Sequence, residues 1–555
     1  MSFLEVKGLG VGYRRPDGRL GPAVIDAAFS LAEGESLGLV GESGSGKSTL
    51  ARALLGYCRP GGVITSGEIL LEGEDIRKLD GAGIRRLRGG RVAFVPQNPL
   101  SSLTPHLRVG SQVAEAVRIH RRCGAEEARQ ATLELFAAVN LPDPAALYDR
   151  FPHELSGGQR QRVVISAALA GEPRLVVLDE PTTALDKTTE IQVLELVRSL
   201  RDRFKATLVY VSHDLNVVAE MCDRVLVMLQ GRVVEQGATT RVYRAPAHDY
   251  TRRLIAAVPR IDRAAQAVAP AAGGEPILAV ADLAYRYATR RRWPWSRGAD
   301  DGRPALAGVS FAVAAGETLG LVGESGSGKS TAAAVIAGLI APDGGNLRFA
   351  GKPLPTLASA RDPATRRRIQ IIFQDPLSSL NPRHRIEAIL ARPLALFHGL
   401  AGAAARKRAG ELLGQLQLDP AFLDCYPRQL SGGQQQRVAI ARAFAADPDL
   451  IICDEITSAL DVSVQAQVLE LLKSLQRRSG AACLFISHDL GVIAQVAARV
   501  VVLRDGTVRE TGATAEVFRR PADPYTRTLV DAATRGYASL PDLPGTSAAA
   551  NGTEP

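Results

Sequence analysis

The twelve residues GLVGESGSGKST occupy positions 38–49 and return unchanged at 320–331. Each copy carries the pattern G-x-x-x-x-G-K-[ST], at 41–48 and at 323–330. A strand-like apolar run precedes each pattern and a helix-like run follows it. Glycines at these positions let the backbone curl until its N–H groups face one centre, which makes a cradle for phosphate oxygens at a helix N-terminus. Lys47 and Lys329 are placed to reach the β and γ phosphates, and Ser48 and Ser330 to ligate Mg²⁺. A glycine turn opening an ordinary helix is the competing account, and two identical copies make it a poor one.

The repeat extends well beyond these twelve letters. FVPQNPLSSLTP (94–105) is echoed by IFQDPLSSLNP (372–382), and LSGGQ stands at 155–159 and again at 430–434. Asp179-Glu180 and Asp454-Glu455, His213 and His488, and Tyr250 and Tyr525 all keep the 275-residue spacing of the LSGGQ pair. Length alone, 555 residues, suggests three or four domains of about 150 residues. The repeat sets its own unit instead: two copies of one fold, at 1–259 and 277–538. Residues 260–276, rich in Ala and Pro, read as a tether, and 539–555 as a disordered tail.

Apolar residues are 46% of the chain and charged residues 23%, ordinary for a soluble globular protein. The net charge of +9 invites a polyanion, but the arginines are scattered rather than clustered. Six cysteines with no C-x-x-C pair argue against a disulfide frame or a zinc site and suit a reducing compartment. No apolar run approaches the ~18 residues of a membrane span. The longest, 332–341, holds a glycine and reads as a buried helix. The start, MSFLEVKGLG, lacks a signal-peptide core. The expected location is the cytosol, or a membrane approached from its cytosolic side.

Continuous apolar runs at 175–178, 207–211, 450–453 and 483–486 predict strands buried on both faces of a largely parallel sheet. Stretches 125–139 and 404–418 have helical spacing, with Leu133, Phe136 and Val139 on one face. Asp505-Gly506 predicts a tight hairpin turn. Alternation of strands and helices makes the class α/β.

Two apolar runs end in Asp-Glu pairs, which supply carboxylates where a strand leaves the sheet. Together with LSGGQRQR and LSGGQQQR, they bring the sequence to a family. It resembles the ATP-binding-cassette ATPases over nearly its whole length, twice, with the motifs in order. The resemblance implies two tandem P-loop NTPase domains. Each has a RecA-like core sheet, an antiparallel β subdomain and a helical signature subdomain. It implies ATP and Mg²⁺ as cofactors. It places nucleotide contacts at Gly41, Glu42, Ser43, Gly44, Ser45, Gly46, Lys47, Ser48 and Thr49. Their repeats are Gly323, Glu324, Ser325, Gly326, Ser327, Gly328, Lys329, Ser330 and Thr331. Tyr13 and Tyr287 stand where the family stacks an aromatic on adenine. Asp179 and Asp454, with Ser48, Ser330, Gln97 and Gln374, would hold the metal. Glu180 and Glu455 would orient the attacking water, and His213 and His488 would act as switch histidines beside Gln97 and Gln374. TALD and SALD, with Asp186 and Asp461, look like the segment crossing between halves.

The resemblance further implies that Ser156, Gly157, Gly158 and Gln159 serve the nucleotide of the other half. Ser431, Gly432, Gly433 and Gln434 would do the same in return, so that Lys47 faces Ser431 and Lys329 faces Ser156. NPLSSL after the glutamine, YPxxLSGGQ, and the closing APAHDYTRRLIAAVP look like the peptide and nickel importer subfamily, with two usually separate ATPase subunits fused. There are departures. The subfamily's His-Pro-Tyr is His248-Asp249-Tyr250 in one half and Asp523-Pro524-Tyr525 in the other, and Ile456 replaces a proline.

The implied function is an importer ATPase, with two permeases and an extracytoplasmic solute-binding protein as partners. It would sit peripherally on the cytoplasmic face of the membrane and bind no nucleic acid. One alternative is a soluble tandem cassette acting on ribosomes or DNA, but the chain has neither a long charged linker nor zinc-finger cysteines. The other is a non-hydrolysing scaffold, against which stand two intact sets of acids and histidines. RRRWPWSR (290–297) holds both tryptophans and reads either as the tip of an elongated hairpin or as a membrane-interface contact.

Overall fold

The computed structural model describes residues 2–15, 17–182, 187–261, 275–287, 304–458 and 460–538. Two compact units emerge, one built on Met1–Val258 and the other on Pro259–Thr534. The tether expected at 260–276, the RRRWPWSR stretch and the tail expected at 539–555 fall wholly or mostly outside the described residues.

Among its described residues the first unit has ten strands: β1 (Leu4–Arg14), β2 (Leu20–Leu31), β3 (Ser36–Val40), β4 (Gly62–Leu71), β5 (Glu74–Asp75), β6 (Val92–Val95), β7 (Leu175–Asp179), β8 (Thr207–Val211), β9 (Arg224–Leu229) and β10 (Arg232–Ala238). Its main helices are α1 (Lys47–Ala53), α2 (Val109–Arg121), α3 (Ala125–Ala138), α4 (Gly157–Leu169), α5 (Lys187–Phe204) and α6 (Asp249–Ala256). One sheet is antiparallel, in the order β2-β1-β4-β5. The other runs β10-β9-β3-β8-β7-β6 and is parallel except at β10.

Strands β3, β7 and β8, with sequences SLGLV, LVVLD and TLVYV, are buried at every position, as strands covered on both faces must be. Helix α1 lies in the layer between the sheets. Its Leu50, Ala51 and Ala53 share one core with Leu4, Val6 and Leu9 of β1 and with Leu37, Leu39, Val177 and Val209 of the parallel sheet. Apolar burial on this scale is the main stabilising term of such a unit.

The second unit repeats the first with β11 (Pro276–Tyr285), β12 (Leu306–Ala314), β13 (Thr318–Val322), β14 (Gly344–Phe349), β15 (Lys352–Pro353), β16 (Ile369–Ile372), β17 (Leu450–Asp454), β18 (Ala482–Ile486), β19 (Arg499–Arg504) and β20 (Thr507–Ala513). Its main helices are α7 (Lys329–Ala337), α8 (Ile386–His398), α9 (Gly402–Gln415), α10 (Gly432–Phe444), α11 (Val462–Ser479) and α12 (Pro524–Ala538). The sheet orders are β12-β11-β14-β15 and β16-β17-β18-β13-β19-β20.

The predicted strands at 175–178, 207–211, 450–453 and 483–486 are β7, β8, β17 and β18, and the predicted helices are α3 and α9. On α3 the buried face is set by Leu135 and Phe136, while Leu133 is only half-buried. Asp505 and Gly506, at φ 48° and 73°, form the two-residue turn between β19 and β20, a left-handed pair that matches strand twist. The apolar run 332–341 is not all helix: α7 stops at Ala337, where Gly338 at φ 78° turns the chain out. No single helix among the described residues is long and apolar enough to cross a membrane.

Strands β3, β6, β7 and β8 end together, so the loops that leave them open on one crevice, the usual ligand position in such sheets. Gly38, in the middle of β3, keeps this strand close to its covering helix: a β-carbon there would lie 2.3 Å from Val218 Cγ1. At the repeat position, Gly320, the nearest atom would be Ile493 Cγ2 at 2.8 Å. Gly38→Ala should therefore destabilise the first unit by about 1–3 kcal/mol, and Gly320→Ala should destabilise the second by less. Urea unfolding of the two single variants measures the difference.

Candidate active site

The chain leaves β3 at Val40, curls, and enters α1 at Lys47. Gly41 has φ 145°, and a β-carbon on it would lie 2.2 Å from the Met228 carbonyl oxygen. Gly46 has φ 100°, and there the clash would be with the Ala23 carbonyl at 2.4 Å. In the second unit Gly323 (φ 152°) and Gly328 (φ 102°) meet the Leu503 and Ala305 carbonyls at 2.2 and 2.4 Å. Only glycine fits such positions.

Inside the curl, Lys47 Nζ donates to the carbonyl oxygens of Gly41 and Glu42 at 2.7 and 2.8 Å. Lys329 Nζ does the same to Gly323 and Glu324, both at 2.8 Å. Ser43, Gly44, Ser325 and Gly326 are exposed at the loop tips. The Ser45 hydroxyl is buried with no hydrogen-bond partner in the protein, the state of a group that awaits an external one. In the repeat, Ser327 Oγ takes a long bond from Lys329, at 3.4 Å.

Asp179 ends β7, and its Oδ1 accepts a hydrogen bond from Ser48 Oγ at 2.7 Å. Asp454 ends β17 and takes the Ser330 hydroxyl at 3.0 Å. Burial pushes both aspartate carboxyls up from their ordinary range, and the serine hydroxyls pull against it. The next residues, Glu180 and Glu455, adopt left-handed φ values of 50° and 48°. Their N–H groups extend the parallel ladder to Val211 and Ile486, each at 3.0 Å.

Both glutamates collect the same partners. Gln97 Nε2 donates to Glu180 at 2.8 Å and Gln374 Nε2 to Glu455 at 2.9 Å. His213 Nδ1 lies 3.3 Å from Glu180, and His488 Nδ1 lies 3.5 Å from Glu455. On Glu455 burial pushes the carboxyl up, but His488 and Lys329 outweigh it and the net shift is down. The glutamines' amide N–H groups are committed to the glutamates, which leaves the amide oxygens, the atoms that could ligate a metal, outside these bonds.

Tyr287 is 57% exposed. It stands edge-on to Tyr285 with ring centroids 4.9 Å apart, and its hydroxyl is 3.1 Å from Thr331 Oγ1. With Lys329, Ser330, Gln374 and Glu455 it lines an open cleft of about 460 Å³. Its counterpart Tyr13 closes β1, paired with Gly21 and Gly62 and packed against Gly62. Thr49 is half-buried on α1.

Ser156 and Ser431 are the N-caps of α4 and α10. Each hydroxyl accepts from the backbone N–H of Gln159 or Gln434, and the side-chain oxygen of that glutamine accepts from the serine N–H, at 3.0 and 2.8 Å. The two glutamines are therefore capping-box partners, and Gly157 and Gly432 stand exposed at a helix start suited to an anion. Gly158 and Gly433 are buried where a β-carbon would lie 2.5 Å from Thr189 and 2.4 Å from Val464, on α5 and α11. Asp461 is the N-cap residue of α11, and its side chain makes no capping hydrogen bond. Asp186 lies outside the described residues.

Two features escaped the sequence reading. Arg52 donates to Asp179 Oδ2 at 2.8 Å, and four-residue spacing from Ser48 on one helix could have signalled it. The second unit has Ala334 there. Tyr250 and Tyr525 were legible as a motif but not as partners of the phosphate loop, which their hydroxyls reach.

Comparison with known proteins agrees with this geometry. The family described as ABC transporter matches residues 24–183 and 306–458. The chain belongs to the ABC transporter family. A second family, described as the C-terminal region of oligopeptide/dipeptide transporters, matches 234–293 and 509–551. Among the relatives is a glutathione import ATP-binding protein, GsiA, of Pectobacterium atrosepticum, 41% identical over 95% of this chain and 89% of its own. Another is the protein of that name from Escherichia coli, 40% identical over 96% and 89%. A dimeric bacterial ABC transporter cassette aligns at 28% identity over 42% of this chain and 98% of its own, with a TM-score of 0.39.

The chain is accordingly a fused tandem ATPase of the peptide/nickel importer group, which binds and hydrolyses ATP to drive import. Lys47→Ala and Lys329→Ala each remove a cation from the centre of an ABC phosphate loop. Each should weaken ATP binding at its own loop by about 10–100-fold, the range for a charged hydrogen bond. Nucleotide titration of the single variants, with melting temperature as the control, measures this.

Proposed function

We propose that this ABC ATPase energises uptake of a short peptide or related solute through two permease subunits. An extracytoplasmic solute-binding protein delivers the solute, and the ATPase works from the cytoplasmic face of the membrane. Relatives named for glutathione import, 40–41% identical over nearly the whole chain, support a short peptide as the solute. Leu100 and Leu377 stand at the same repeat position, just past Gln97 and Gln374, and are 49% and 46% exposed. Apolar side chains left in solvent at both sites support a permease segment docking there.

The observation that carries the reading is the repetition of one constellation: Gln97–Glu180–His213 and Gln374–Glu455–His488, each beside its Ser–Asp pair. Glu180 and Glu455 are placed to orient a water for attack on the γ-phosphate, and His213 and His488 to hold that phosphate. Tyr287, and Tyr13 in the first unit, are the adenine platforms. Most of the acceleration comes from positioning and electrostatics. The exposed starts of α4 and α10 supply amides to the nucleotide of the other half, with Asp186 and Asp461 in the crossing segment.

The donor set fits Mg²⁺, a hard cation that takes a few protein oxygens and leaves the rest to phosphate and water. Ser48 with Asp179, and Ser330 with Asp454, are such pairs of oxygens. The ion would neutralise charge on the phosphates. Gln97 and Gln374 keep an amide oxygen for the metal's shell while Nε2 holds the glutamate. Arg52 gives the first pair a competing cation.

Three outcomes follow in the reconstituted transporter. Glu180→Gln and Glu455→Gln should each lower ATP turnover at the altered site by about 10²–10⁴-fold and cut uptake severely, measured as solute accumulation in vesicles. Near-normal uptake by either variant would make that site regulatory. Ser431→Ala should impair nucleotide trapping at Lys47 more than at Lys329; the reverse order would refute head-to-tail pairing. Arg52→Ala should lower the Mg²⁺ concentration for half-maximal turnover at the first site, read by magnesium titration.

A further inference from the structure

The segments APAHDYTRRL and RPADPYTRTL, which close the two units, reach back to the phosphate loops. The Glu42 N–H donates to the Tyr250 hydroxyl at 2.9 Å, and the Glu324 N–H donates to the Tyr525 hydroxyl at 3.0 Å. Both rings are buried, 4% and 6% exposed. Glu42 follows Gly41, whose φ of 145° only glycine adopts readily, and its own carbonyl oxygen accepts from Lys47. The N–H and the C=O of this residue are therefore both held, one by the tyrosine and one by the lysine. Glu324 is held identically by Tyr525 and Lys329.

The tyrosines are themselves fixed from behind. Tyr250 N–H donates to His248 Nδ1 at 3.1 Å, and Tyr525 N–H donates to Asp523 Oδ1 at 2.8 Å. Histidine in one unit and aspartate in the other do the same capping work, which explains how the second unit replaces the histidine of His-Pro-Tyr without losing its geometry. One strand further back, Glu235 of β10 takes the amides of Ala247 and His248 on its two carboxylate oxygens, at 2.8 and 3.1 Å. Glu510 of β20 takes those of Ala522 and Asp523, at 2.9 and 3.1 Å.

We propose that Tyr250 and Tyr525 are positioning residues for ATP. Each hydroxyl fixes the first turn of its own phosphate loop, and a relay of carboxylate, cap and tyrosine ties that loop to the end of its unit. The relay leaves the Lys47 and Lys329 ammonium groups as the exchangeable element of each loop: they release carbonyl oxygens to meet phosphate, while the backbone stays where the tyrosine holds it. A loop without the hydroxyl must be ordered by the nucleotide itself, so the loss falls on binding.

The test uses the full chain with Tyr250→Phe and Tyr525→Phe, which keep the ring and delete only the hydroxyl. Each should raise the KM for ATP at its own site by about 3–10-fold, the range for one net hydrogen bond, with kcat changed much less and the melting temperature lowered by at most a few degrees. In the first unit, His248→Ala should reproduce the KM increase, and His248→Asp should restore the wild-type KM. Glu235→Gln combined with Tyr250→Phe should add less than the sum of the two single effects. A wild-type KM in both phenylalanine variants would overturn the proposal. So would a fall in kcat and melting temperature without a KM change, because a buried ring that only fills space predicts that pattern.

Discussion

The approach of Gly41 to the Met228 carbonyl, and of Gly323 to the Leu503 carbonyl, is the constraint on which the rest of each unit depends. It presses the phosphate loop against the strand beside it and leaves no room for any side chain. The loop can then enter a helix directly, and that helix can fill the layer between two sheets. The parallel strands on the other flank bring their carboxyl ends level with the loop, so an aspartate, a glutamate and a histidine arrive without any long excursion of the chain. Packing, topology and chemistry meet because one backbone turn is too tight for a β-carbon.

The two units share this plan and differ in its support. Arg52 stands beside the first aspartate, with its guanidinium over the Phe94 ring at 5.7 Å; the second unit has Ala334 at that place on its helix. Lys187 pairs with Asp214 in the first unit, while Val462 fills the matching position in the second. Ion pairs thus stand beside the first site at two positions where the second carries apolar residues. Equal motifs stand in unequal surroundings.

The buried strands, the phosphate loops and the paired acids were legible in the sequence because each follows from a local pattern: an apolar run, a glycine spacing, a strand ending in carboxylates. The Asp505-Gly506 turn was legible for the same reason. The end of α7 was misjudged, since hydropathy continues past Gly338 although the backbone does not. The destination of the Gln97 and Gln374 amides was also beyond reading, because it depends on where two loops from different strands come to rest. Tyr250 shows the limit most plainly. Its partner Glu42 is more than two hundred residues away, and only the folded sheet brings the two together.

Glu180 and Glu455 hold a backbone conformation that costs an ordinary residue roughly 1–2 kcal/mol and glycine nothing. At these two positions a change to glycine would relax the chain while removing the carboxylate. Selection for a sturdier protein and selection for a working pump therefore pull in opposite directions there. A drifting lineage that no longer needed the pump would be expected to lose these glutamates early, and its fold would gain by it.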